Sequence, residues 1–180
     1  AETIYEIQYT EDASGDSPFK NEIVTVTGIV TAIGYNFSND NFFISEDEGG
    51  EWNGIYIYGA GIEPNLGDEV EITGRVVEYQ GITEITIISI ANIISSDNPL
   101  PEATIISTNE LATEEKYESV LVQIQNITVT EGTNDDGEWY VNDGSGECQI
   151  DDNIFSATII ANSEIESITG IVDEHMSEFA

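Results

Sequence analysis

An internal repeat of a β-rich motif constrains the fold of this chain more than any other feature. Residues 67–85, GDEVEITGRVVEYQGITEI, recur in degenerate form at 164–180, EIESITGIVDEHMSEFA. Upstream, VTVTGI at 24–29 aligns with VQIQNI at 122–127. Repetition over such a distance indicates that one supersecondary unit is used twice. The second copy ends where the first continues into a further strand.

Alternating β-branched and aromatic residues predict short antiparallel strands in both copies. Five such runs fall between residues 23 and 95, and glycine-containing turns separate them. Further runs lie between 120 and 150, after cap residues and a short helical stretch at 107–112. The segment SSDNPLP at 95–101 contains two prolines, which cannot continue a ladder, and we predict a linker there.

The predicted fold class is all-β, with two tandem OB-like five-stranded Greek-key barrels of which the second lacks its last strand. A long first strand that bends near Gly28 is typical of such barrels. We assign residues 1–97 to an N-terminal strand plus the first barrel. Residues 98–180 then form the linker and the second barrel.

Several stretches resemble a known family. VTVTGIVTA, NFFISEDEGGEWNGIYIYG and GDEVEITGRVVEYQGITEI resemble the tandem OB-fold domains of secreted bacterial nucleases and surface proteins, and KYESVLVQIQNITVT with GEWYVNDGSGECQIDD is similar to the second domain of such a tandem. The resemblance covers nearly the whole chain and implies an extracellular, non-catalytic, two-domain architecture. No stretch represents the nuclease domain that often accompanies these modules. The acidity and the early end of the second copy depart from the family and disfavour a role with nucleic acid.

The charge of the chain bears directly on its partners. It has 36 acidic residues and only 3 basic ones, which gives a formal net charge of −33. Nucleic-acid affinity depends largely on Lys and Arg that displace counterions, so nucleic acid is a disfavoured partner. No apolar run is long enough for a membrane span. The family resemblance implies a secreted or cell-surface protein.

The sequence predicts no catalytic residues, and we expect that the protein is not an enzyme. It has a single histidine, His175, and no Gly-x-Ser-x-Gly elbow. Cys148 is the only cysteine, and an inert, partly buried thiol is the favoured interpretation. We expect no organic cofactor.

Calcium is the one cofactor for which the sequence offers candidate ligands. Clustered carboxylates and turn carbonyls suit this hard cation, and the candidates are Asp135, Asp136, Asp151 and Asp152. Their spacing does not match an EF-hand loop. The alternative is that they are solvated loop residues of an acidic protein.

An outer aromatic face is a second candidate site. If Ile55 and Ile57 face the barrel core, their neighbours point outward. The predicted ligand face comprises Tyr35, Phe37, Trp52, Tyr56 and Tyr58. Such a face could stack on a glycan, which tolerates an acidic field better than a phosphate does. The alternative is that Tyr56 and Tyr58 pack against the other barrel or against a neighbouring subunit.

The N-terminal segment alternates like a spare β-strand. If it completes the open barrel of the next copy, the contact is head to tail and generates a filament or a ring. The predicted assembly strand contains Ile4, Tyr5, Ile7 and Tyr9, and the acceptor edge contains His175 and Phe179. The alternative is that residues following in a longer protein supply the missing strand.

Two functional hypotheses follow from these features. The first is a non-catalytic extracellular structural protein that forms a homo-oligomer or polymer by head-to-tail strand donation. The second is a glycan- or nucleic-acid-binding accessory module of a secreted enzyme.

Overall fold

A computed structural model describes residues 1–35, 38–151, 153–154 and 156–173. Two short α-helices, α1 (Ile4–Gln8) and α2 (Thr108–Thr113), and a 3-10 turn at Glu115–Tyr117 accompany the strands. The strands are β1 (Ile23–Ile33), β2 (Phe42–Ser45), β3 (Gly54–Ile57), β4 (Glu69–Tyr79), β5 (Ile82–Ser95), β6 (Thr104–Ile105), β7 (Leu121–Glu131), β8 (Trp139–Asn142), β9 (Glu147–Ile150) and β10 (Glu164–Ile171). The all-β class is confirmed.

The first five strands form a closed barrel in the order β1-β2-β3-β5-β4, which is compatible with an OB-like barrel. The parallel pairing of β3 with β5 closes it, through Tyr56–Glu84 and Ile57–Ile85. Gly28 lies where β1 passes from β4 to β2. A Cβ atom there would approach the carbonyl oxygen of Ser45 to 2.9 Å, so this position requires glycine.

The N-terminal segment is a helix, which corrects the prediction of a spare strand. Thr3 and Glu6 form a capping box that satisfies free N–H groups of the first turn. Ile4 and Ile7, three residues apart, lie on one side of α1 and are fully buried in the barrel core. Tyr5 and Tyr9, four residues apart, lie on the other side and are exposed. The positions of Ile4 and Ile7 are compatible with either a strand or a helix. The segment is helical because the helix buries both side chains in the barrel core.

The second half of the chain forms an open sheet in the order β10-β7-β8-β9, and β6 pairs with β7 in parallel. Its core lies between this sheet, α2 and the 3-10 turn, and it includes Val122, Ile124, Ile127, Val129, Trp139, Val141 and Cys148. Among the described residues, no strand pairs with the outer edge of β9 or β10. The part of the chain that the structure describes also contains no helix long and apolar enough to cross a membrane.

The segment around Glu118 packs against the first barrel. The backbone N–H of Trp52 donates to the carbonyl oxygen of Lys116 at 2.7 Å. Gly54 lies so close to Ser119 that a Cβ atom on Gly54 would be 2.1 Å from the Ser119 carbonyl oxygen. Ile171 of β10 packs against a small buried cluster that includes Tyr35 and Tyr56. The sheet and the barrel are therefore in direct contact.

Candidate functional site

The open side of the second sheet is the first candidate site. In the barrel, β5 pairs with both β3 and β4. In the second sheet β9 and β10 are the two outermost strands, and each has one outer edge without a partner among the described strands. Ile150, Ile165 and Ile168 on these strands are only partly buried at the margin of the core. We call the gap between the outer edges of β9 and β10 the slot. It combines backbone edges that no described strand pairs with and apolar side chains that are only partly covered.

The second half of β5 has a further edge that no described strand pairs with. Beyond Thr86 this strand pairs with β4 on one side, whereas its pairs with β3 end at Ile85. Four isoleucines here are exposed by 45–70%: Ile87, Ile90, Ile93 and Ile94. Lys and Pro, which commonly protect such edges, are missing from residues 82–95. A long apolar edge without these features is suited to pairing with another strand.

The predicted ligand face does not exist as an exposed surface. Tyr56 is 3% exposed and Tyr35 is 9% exposed, and both pack with Phe43 in the cluster that contacts Ile171. Burial, together with a hydrogen bond to Asp173, raises the pKa of the Tyr35 hydroxyl. Tyr58 is half-exposed. Tyr56 therefore follows the alternative of packing against the other half of the chain, through the cluster that contacts Ile171, whereas Tyr58 does not.

The other predicted site residues are distributed differently from the sequence expectation. The Trp52 ring packs against Tyr9, the C-cap residue of α1, with ring centroids 5.7 Å apart. Ile4, Tyr5 and Ile7 lie in α1, and Tyr9 is its C-cap, so these four residues do not form an assembly strand. Phe37, His175, Phe179 and Asp152 lie outside the described residues.

Of the candidate calcium ligands, Asp135, Asp136 and Asp151 lie within the described residues and belong to no cluster of metal-ligating side chains there. Asp135 and Asp136 lie in the turn between β7 and β8, where the Asn134 side chain accepts a backbone hydrogen bond from Asp136 at 2.9 Å. Asp151 follows β9. Within the described ranges, no group of three or more His, Cys, Asp or Glu side chains could hold a metal ion.

Buried carboxylates collect at the contact between barrel and sheet, which the sequence reasoning missed. Oε1 of Glu118 accepts hydrogen bonds from Gln8 Nε2 at 3.2 Å and from the backbone N–H of Thr83 at 3.1 Å. Burial raises the pKa of Glu78, Glu84 and Glu115, and the charge of Glu78 adds to the effect on the other two. The signal in the sequence was Glu84, a glutamate within the largely apolar residues of β5.

These carboxylates predict an unusual pH dependence of stability. A carboxyl whose pKa is raised in the folded state stabilises the fold below its unfolded pKa, about 4.3 for Glu, and this stabilisation is lost as pH rises through the folded pKa. We therefore expect the melting temperature to rise as pH falls from about 7 to about 5. Burial would also raise the pKa of Asp143, but hydrogen bonds from Ser145 and Thr108 outweigh it and hold the pKa at about 2. The ionised Asp143 carboxylate therefore stabilises the folded state throughout the range from pH about 7 to about 5, and this contribution is lost only as pH falls further toward the pKa of Asp143.

The Glu84→Gln variant tests this prediction by thermal melting in about 0.5 M NaCl, where repulsion between distant charges is screened. We expect a higher melting temperature at neutral pH and a flatter pH profile, because the buried carboxyl is replaced by a neutral group. Glu22→Gln, which changes an exposed residue by the same charge, is the matched control and should leave the profile unchanged. Parallel profiles for Glu84→Gln and the parent would contradict the prediction.

Neither protein-family models nor curated protein sequences match this chain. The surfaces that bear on its function are the slot between β9 and β10 and the edge of β5 that no described strand pairs with. The single thiol does not add a reactive group at neutral pH. Burial, with the nearby charges of Asp143 and Glu147, raises the pKa of Cys148 to about 12.

Proposed function

We propose that the chain is a non-catalytic extracellular structural protein, built from two OB-like barrels in tandem, that self-associates head to tail through its strand edges. One observation carries this proposal: among the described strands, the outer edges of β9 and β10 have no partner, whereas β5 pairs with both β3 and β4 in the first barrel. A second copy is the proposed source of the missing strand.

Matching strand registers support the tandem interpretation. In the first barrel, Val24 lies opposite Gly74 and Val26 opposite Ile72. In the second sheet, Val122 lies opposite Gly170 and Ile124 opposite Ile168. These pairs coincide with the sequence repeat. The second unit then matches the first four strands of the barrel, with no fifth strand among the residues that the structure describes.

The strand that fills the slot is better supplied by β5 than by the N-terminus. Residues 4–8 could donate a strand only by giving up α1 and withdrawing Ile4 and Ile7 from the first core. The second half of β5 already presents an extended, apolar and unpaired edge. Pairing of this edge with β9 or β10 of the next copy needs no unfolding. Because the two surfaces differ, the contact is heterologous and produces a filament unless it closes into a ring.

Charge sets the conditions for this assembly. Each copy carries a formal charge of −33, so copies repel one another over roughly the Debye length, about 8 Å at physiological ionic strength. Added salt or divalent cations should therefore promote association. Extracellular location is part of the proposal because of the resemblance to secreted bacterial modules.

Edge substitutions test the assembly. The purified chain should form filaments in about 0.5 M NaCl, observed by negative-stain electron microscopy and light scattering after size exclusion. Ile90→Lys with Ile93→Lys should reduce assembly by about tenfold or more, since lysines on an edge prevent strand pairing. Ile23→Lys with Ile160→Lys is the control, because it adds the same charge at two exposed isoleucines outside β5.

Two results would overturn the proposal. One is a monomer at all salt and protein concentrations. The other is equal assembly by the two double variants, which would show that charge alone controls association.

A further inference from the structure

An exposed aromatic group lies on the outer side of α1. Tyr5 and Tyr9 are 42% and 41% exposed, and their rings stack with centroids 5.5 Å apart. Trp52 packs edge-on against Tyr9 at an interplanar angle of 74°. Because Ile4 and Ile7 anchor the opposite side of the helix in the barrel core, these rings are held in place. Exposed aromatic clusters on a rigid element commonly mark binding surfaces.

A shallow groove beside these rings contains both aromatic and acidic side chains. It is lined by Tyr5, Tyr9, Glu6, Glu11, Pro18 and Phe19. Glu11 accepts a hydrogen bond from the Tyr9 hydroxyl at 3.2 Å, which places a carboxylate at the edge of the ring. Among the described residues, no lysine or arginine forms an ion pair with Glu6 or Glu11. The groove therefore offers negative charge without an internal counterion.

The chain contains its own example of the ligand that such a surface would bind. Lys116 Nζ lies 5.0 Å from the centroid of the Tyr117 ring and 2.9 Å from Glu51. An aromatic face and a carboxylate together hold this ammonium group. The groove on α1 has the same two components, but no cation of this chain pairs with its carboxylates in the described part of the structure.

We propose that the groove formed by Tyr5, Tyr9, Glu6 and Glu11 binds a lysine or arginine side chain of a basic partner polypeptide. The ring faces attract a cation through their quadrupoles, and the carboxylates neutralise it. The net charge of −33 draws basic partners toward the surface and repels phosphate-bearing ones. A neutral sugar gains nothing from this field. The proposal does not depend on self-assembly through the strand edges.

The test separates this groove from general attraction to an acidic protein. The full chain is titrated with a short acetylated and amidated arginine peptide at about 0.15 M NaCl, followed by intrinsic fluorescence. Tyr5→Leu with Tyr9→Leu keeps the charge and should weaken binding by about fivefold or more. Tyr58→Leu with Tyr79→Leu removes two tyrosines of similar exposure elsewhere on the barrel and should leave binding unchanged.

A second pair of variants keeps the test valid if the leucine variant disturbs α1. Glu11→Gln removes one groove carboxylate beyond the helix, and it should weaken peptide binding more than the exposed Glu22→Gln does. Equal effects within both matched pairs would show binding by net charge alone and overturn the proposal. Binding of an uncharged oligosaccharide that requires Tyr5 and Tyr9, with peptide binding unaffected by their loss, would also overturn it.

Discussion

Replacing Ile7 by alanine should lower the free energy of unfolding by about 2–5 kcal/mol, as large-to-small changes in a closed core do. Ile7 is fully buried and packs with strands of the first barrel, although it lies near the chain terminus. The removed side chain leaves a cavity that closely packed strands cannot fill. Urea denaturation followed by circular dichroism measures the change.

Tyr5→Ala is the matched control for this prediction. It lies in the same short helix, but its side chain is 42% exposed and lines the outer groove. We expect it to cost well under half as much as Ile7→Ala. If the two variants unfold at the same urea concentration, α1 does not belong to the barrel core. Removal of residues 1–10 would then leave the barrel folded, as a spare strand would allow.

Replacing Gly54 by alanine should destabilise the contact between barrel and sheet by about 3 kcal/mol or more. The new Cβ atom would be 2.1 Å from the carbonyl oxygen of Ser119, and backbone on both sides must move to relieve the clash. That movement also disturbs a hydrogen bond, because the Gly54 carbonyl oxygen accepts from Gln8 Nε2 at 2.7 Å. Gln8 in turn donates to Glu118.

The two tryptophans let this prediction be measured in each half of the chain. Trp52 lies in the barrel half and Trp139 lies on β8 of the open sheet, so single-tryptophan variants follow the two halves separately during unfolding. In Gly54→Ala we expect the two transitions to separate or to shift to lower urea. Gly170→Ala is the control, because a Cβ at this strand glycine would meet no atom within 4 Å. Equal destabilisation by both alanine variants would refute the steric explanation.

The strands of the first barrel could be predicted from the sequence because their burial is regular. Along β4 the side chains alternate between buried and half-exposed from Glu69 to Val77, and this period of two appears directly in the order of apolar residues. The short helix α2 could also be predicted, since Ser107 and Glu110 form a local capping box. Both signals depend only on neighbours in sequence.

The misassigned elements depend on contacts that are distant in sequence. Ile4 and Ile7 fit a strand as well as a helix. The helix is favourable because it buries both side chains in the core of the first barrel. Tyr56 was expected on an outer face, which is correct for β3 in isolation. The second sheet packs over that face through Ile171 and buries it. Similarly, Tyr5, Tyr9 and Trp52 come together only after the barrel has formed.

Local periodicity and cap chemistry in the sequence by themselves determined an all-β chain with a repeated strand pattern, because those signals act between residues a few positions apart. Tertiary structure alone decided which apolar surfaces are covered. It placed α1 against the first core and the Glu118 segment against the barrel, and it left the edges of β5, β9 and β10 unpaired among the described strands. The physical reason is that burial depends on packing between distant segments, and each element's own sequence encodes only which face it can bury.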